Sequence, residues 1–117
     1  MKKKLNSIQE AIEAIIESSQ KHADASQTGD YKTANKNYDL VDKAVLYLRE
    51  NNGIEYLKEL LNFDNISVKV VAASYLLKNA DKNALTILEE IASKSYPHNS
   101  YTASMVLQEW KNGRLNL

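Results

Sequence analysis

The chain has no cysteine, one proline and three glycines among 117 residues, and its 15 Lys+Arg cancel its 15 Asp+Glu. Each shortage excludes something. Without cysteine there is no disulfide framework and no thiolate metal site, which suits a reducing compartment such as the cytoplasm. So few glycines and prolines argue against a β fold, which needs many turns. Zero net charge leaves no global field to draw in nucleic acid or an anionic membrane. No run approaches the roughly 18 apolar residues that a membrane span needs. Lys2–Lys4 could open a secretory leader, but Gln9, Glu10, Glu13 and Glu17 follow where its apolar region should be. The lysines therefore read as a solvated end. The length is that of one domain, 1–117, able to bury about two-thirds of its unfolded surface without a staple.

What is present is helical periodicity. Ser7 and Glu10 form a capping-box pattern, and Ala11, Ile8, Ile12, Ile15 and Ile16 share one face of a helix from Ser7 to about His22. The segment "SQTGD" breaks that pattern. Asp30 can cap a long second helix ending near Asn51, with Gly53 as its stop. Its main stripe is Ala34, Tyr38, Val41, Val45 and Leu48, widened by Leu40, Ala44 and Tyr47. A short third helix carries Ile54, Leu57, Leu60 and Leu61. Asp64, Asn65 or Ser67 can start a fourth. Asp81 caps a fifth, through Ala84, Ile87, Leu88 and Ile91, which Pro97 cannot continue. Asn99 or Ser100 opens a sixth, through Ala103, Val106, Leu107 and Trp110, which Gly113 stops.

The fourth segment, "SVKVVAASYLL" at 67–77, is ambiguous by composition. Val68, Val70 and Val71 favour strands. Its length, its Ala-Ala pair and its lack of turn signals favour a helix. Apolar residues occupy both faces, Val68, Val71, Ala72, Tyr75 and Leu76 on one and Val70, Ala73 and Leu77 on the other. A helix apolar nearly all round belongs inside a helical stack.

The second half also echoes itself at an offset of 30 residues. Ile54, Leu57, Glu59 and Leu61 match Ala84, Ile87, Glu89 and Ile91. Ala73, Ser74, Leu76 and Leu77 match Ala103, Ser104, Val106 and Leu107. A short helix, a turn and a second helix with a small central residue is the logic of helical solenoids, whose units bury their faces only by stacking. The first two helices would form a longer, divergent unit.

The order "GDYKTANKNYDLV", "LLNFDNISVKVVAASYLL", "ALTILEEIA" and "ASMVLQEWKNG" resembles a family of small, uncharacterised bacterial HEAT-like proteins over roughly residues 28–113. The family's usual Arg in the fourth helix is Lys69 here. The resemblance implies an all-α fold of about six helices in a HEAT-like superhelical stack, with no catalytic residues. Members of this type often sit beside toxin genes and act as immunity proteins, so it also implies a cytoplasmic protein that binds a toxin domain.

The residues themselves announce no chemistry. His22 and His98 stand alone without ligand spacing, so no metal is expected, and nothing points to a cofactor. Pairs such as Glu13/Glu17 and Glu55/Glu59 could serve acid/base work in a cleft, but on surface helices they are ordinarily solvated. There is no phosphate loop and no nucleophile elbow. One constellation stands out on the second helix. Asn35, Asp42 and Arg49 recur every seven residues, with Tyr31 and Tyr38 flanking them and Asp39 alongside. Two readings apply. The polar groups can bond neighbouring helices, since buried ones need partners. Alternatively, the stripe is a tyrosine-rich rim that docks a protein, Tyr and Arg being enriched at binding hot spots. The functional expectation is a non-enzymatic immunity protein that occludes a toxin domain. An adaptor or scaffold without a toxin is one alternative, and a small helical nucleic-acid-binding protein another. The last requires a cationic groove, whereas these lysines are interspersed with acids. Oligomeric state is left open.

Overall fold

A computed structural model describes residues 5–79 and 81–115. Lys2–Lys4, expected as a solvated end, lie outside them. The described residues form six helices and no strand: α1 (Ile8–Thr28), α2 (Tyr31–Glu50), a 3₁₀ helix (Ile54–Asn62), α3 (Ile66–Leu77), α4 (Lys82–Ala92) and α5 (Asn99–Lys111). None of these is long and apolar enough to cross a membrane. The chain divides into two compact units, Met1–Tyr56 and Leu57–Leu117.

The first unit is a hairpin of α1 and α2, which pack against each other. The Ser7 hydroxyl accepts the Glu10 N–H at 3.1 Å, and the Glu10 carboxylate takes the N–H of Asn6 rather than that of Ser7. α1 does not stop near His22 but continues to Thr28, burying Ala23 and Ala25. Nothing in "SQT" forbids a helix. The stop is Gly29, whose φ of +78° only glycine adopts freely. Asp30 then serves both helices. Its N–H bonds back to the Ala25 carbonyl at 2.9 Å, closing α1. Its carboxylate accepts the Thr33 N–H at 3.2 Å, opening α2.

At the far end of α2 the left-handed residue is Asn52, φ +57°, and not Gly53. The Gly53 N–H reaches the Leu48 carbonyl at 2.6 Å, the six-residue closure of a Schellman turn. At 53 the feature is close packing instead. A Cβ there would stand 3.1 Å from Leu48 Cδ2 and 3.2 Å from Ile8 Cδ1. Gly53 thus lets the start of α1 and the end of α2 close on each other.

In the second unit α3 is a buried helix. Val68, Val70, Ala72, Ala73, Ser74, Tyr75, Leu76 and Leu77 are all enclosed. Full burial of a Val or Leu side chain contributes about 1.5–3 kcal/mol, so this segment is a principal source of stability. Its one buried hydroxyl, Ser74, donates to the Val70 carbonyl at 2.6 Å, which removes the cost of an unpaired polar group. α3 packs on both α4 and α5, and those two pack on each other. The helix expected through Ile54–Leu61 is a 3₁₀ helix, which buries Leu57, Leu60 and Leu61 on one side.

The remaining caps are local. Asn65 is the residue that starts α3, accepting the Val68 N–H at 3.2 Å. Asp81 repeats the Asp30 device: its N–H reaches the Leu76 carbonyl and its carboxylate accepts the Ala84 N–H. Ala80 lies outside the described residues. Neither Asn99 nor Ser100 caps α5. The cap position is His98, at φ +67° and without a capping side-chain bond. Asn99 and Ser100 are spent on tertiary ties. The Asn99 amide meets the Ser67 hydroxyl at 3.3 Å, and the Ser100 hydroxyl donates to the Ile91 carbonyl at 2.8 Å. The echo at 30 residues holds in burial for Ala73 and Ala103, Leu77 and Leu107, and Leu61 and Ile91, but not for Ser74, which is buried, and Ser104, which is exposed; the first segment is a 3₁₀ helix in one half of the echo and an α-helix in the other.

Candidate interaction face on α2

The face is set by the sides of α2 that the hairpin uses. Ala34, Asn37, Val41, Ala44, Val45 and Leu48 are buried. At about 100° per residue this places the opposite arc in solvent. Tyr31, Asn35, Tyr38, Asp39, Asp42 and Arg49 are all exposed. Tyr31 is 73% exposed, Tyr38 48% and Leu46 53%. Tyr31, Asn35, Tyr38, Asp42, Leu46 and Arg49 fall within about 80° of one another on the wheel. The expected residues lie together as one exposed stripe beside the core face, Tyr38 next to the buried Val45 and Asp39 at the edge farther from the core.

Tyr38 departs from the core stripe expected of it. The core arc is turned toward Asn37, whose amide donates to the Thr33 carbonyl at 2.9 Å within the helix. That internal bond makes Asn37 tolerable inside, and the larger tyrosine is left at the boundary. Asn35 and Asp42, exposed as they are, do not need burial partners.

His22 is the contributor that spacing did not reveal. It sits on α1, yet its Nδ1 lies 2.8 Å from the Ala34 carbonyl of α2. A carbonyl can only accept, so Nδ1 carries the proton. The ring also lies 5.9 Å from the Tyr38 ring, tilted by 48°. His22 thus ties the hairpin and props one tyrosine of the stripe. Reflection through the turn would have found it, because residues 22 and 38 lie about equally far from Gly29–Asp30.

Electrostatically the face is mixed. Lys32, Lys36 and Lys43 are exposed on α2, and so are Asp39, Asp42 and Glu50. At its N-terminal edge, hydrogen bonds from the Thr33 hydroxyl and then the Thr33 N–H hold the Asp30 carboxyl below its ordinary pKa. On α1 the carboxylates make local contacts. Glu13 accepts from Gln9, and Glu17 pairs with Lys21 at 2.7 Å. Among the described residues no group of three or more His, Asp or Glu could hold a metal ion. In comparisons with known proteins, the chain matches no family model, no curated protein and no solved structure.

Proposed function

We propose that the chain is a non-enzymatic protein-binding module whose docking face is the exposed stripe of α2. The carrying observation is the grouping of exposed Tyr31, Tyr38 and Leu46 with Asn35, Asp42 and Arg49 on one helix face. Large aromatic rings left in water beside an arginine match the make-up of binding hot spots. Such a face suits a partner that is itself mixed in charge, because α2 presents bases and acids together. It suits nucleic acid poorly, since acids interrupt the lysines.

More specifically, we propose a cytoplasmic immunity protein that binds a cognate toxin domain and covers its active site or its path to substrate. Inhibition is by occlusion, without turnover. The resemblance to HEAT-like immunity-type proteins supports this reading, and the shared burial of Ala73 with Ala103 and of Leu77 with Leu107 is compatible with stacked helical units. The test is co-expression with the product of the neighbouring upstream gene. That product should arrest growth alone and be tolerated with this protein present. A harmless neighbour, or one that stays toxic, contradicts the proposal.

A further inference from the structure

We propose that Asn52 is a self-modification site gated by the fold, and that Asn112 is its open counterpart. The chain holds two Asn-Gly steps, Asn52–Gly53 and Asn112–Gly113. An asparagine followed by glycine can deamidate, because the next residue has no side chain to hinder its own backbone nitrogen. That nitrogen gives its proton to solvent and bonds to the asparagine Cγ. The Cγ–Nδ2 bond breaks, the nitrogen leaves as ammonia after taking a proton from water, and a five-membered succinimide remains. Water then opens the ring at either carbonyl, giving aspartate or isoaspartate. No electron is exchanged, and water is the only co-reactant.

Both steps lie in turns that close helices, shifted by one residue. Past α2 the left-handed residue is Asn52, and the Gly53 N–H donates to the Leu48 carbonyl at 2.6 Å. Past α5 it is Gly113, at φ +69°, whose N–H donates to the Trp110 carbonyl at 3.0 Å. Each attacking nitrogen is thus occupied, and its turn must open before the ring can form. The two openings differ in cost. Gly53 is buried, and a Cβ there would meet Leu48 Cδ2 at 3.1 Å and Ile8 Cδ1 at 3.2 Å. Its carbonyl also accepts the Tyr56 N–H at 3.0 Å. Freeing its nitrogen means parting the start of α1 from the end of α2. Asn112 and Gly113 are exposed, and a Cβ at 113 would meet nothing within 4 Å. An exposed helix end frays at little cost, whereas a packed one opens with its unit.

The products at 52 do not fit the turn they come from. Isoaspartate inserts a methylene into the backbone before Gly53 and takes its N–H out of register with Leu48. Aspartate sets a carboxylate at the C-terminal end of α2, where the helix dipole disfavours it. Conversion of Asn52 therefore records that the first unit has opened, and hinders its closing again.

The purified full chain is held at neutral pH and physiological temperature, folded and in denaturing urea, and each site is followed by mass-spectrometric peptide mapping. In the folded chain Asn112 should convert at least about tenfold faster than Asn52, and in urea the two rates should converge. Each event adds a negative charge to a chain of zero formal net charge, so ion exchange also resolves the products. Ile8→Ala removes a side chain that closes on Gly53 and should speed Asn52 severalfold, with Asn112 as the unchanged internal standard. Equal rates at the two sites in the folded chain, a folded chain in which neither converts, a lag at Asn52 that persists in urea, or an Ile8→Ala chain with the native lag would each overturn the proposal. No toxin is involved, so these outcomes are separate from those of the co-expression test.

Discussion

Enlarging Ala73 probes the interior most sharply. Ala73 is fully buried near the middle of α3, with Ala72 and Ser74 also enclosed beside it. Leucine adds three carbons at a position fully closed to solvent, and overpacking of this kind costs about 1–3 kcal/mol. With about 4 °C of melting temperature per kcal/mol for a chain of this size, Ala73→Leu should melt some 4–12 °C lower. With a urea m-value of about 1.5 kcal/mol/M, a 2 kcal/mol loss moves the midpoint by roughly 1.3 M. Trp110, the only tryptophan, lies on α5 in the same compact unit, so its fluorescence reports that unit directly. Val71→Leu, at a half-buried position of the same helix, is the control and should shift the midpoint far less. An Ala73→Leu midpoint equal to that of the native chain would refute the buried-helix account of α3.

Three further outcomes follow from the hairpin of α1 and α2. Among the described residues the buried Ser19 hydroxyl has no hydrogen-bond partner, so Ser19→Ala should raise stability by about 1 kcal/mol in urea titration. Gly29→Ala meets no atom within 4 Å, yet must hold φ at +78°, so it should lose about 1 kcal/mol from backbone strain alone, read as a lower thermal midpoint. The lowered pKa of Asp30 makes its contribution fully present above its ordinary value of 3.8 and lost as pH falls through the lower folded value. Asp30→Asn can still cap the helix but does not titrate. It should lower stability in the neutral region by that contribution and flatten the acid limb below pH 3.8, so that the two curves converge in strong acid.

The helices themselves were legible because their cores are periodic. Ile12 and Ile15 on α1, and Val41, Val45 and Leu48 on α2, repeat at helical spacing and are buried accordingly. α3 was legible for a different reason. Its valines carry a strand preference, but an apolar run with Ala-Ala at its centre is too long for a strand and is enclosed on both faces. What spacing could not supply were choices between near-equivalent groups. Asn52 and Gly53 both tolerate left-handed backbone, and only the closeness of Ile8 and Leu48 assigns the turn to one and the close approach to the other. Asn99 and Ser100 are good capping types, yet tertiary bonds to Ser67 and Ile91 claim them. The stripe on α2 was visible as a set of residues, while the rotation that exposes Tyr38 and buries Asn37 depends on how α1 lies against it.

The docking claim is tested most directly by comparing native and Tyr31→Ala/Leu46→Glu chains in the toxin co-expression assay, with thermal melts alongside. Both residues are at least half exposed, so the melts should agree within a few degrees. The account predicts that the native chain restores growth and the variant fails to do so while remaining folded. Full protection by a folded variant would contradict the placement of the binding face on α2.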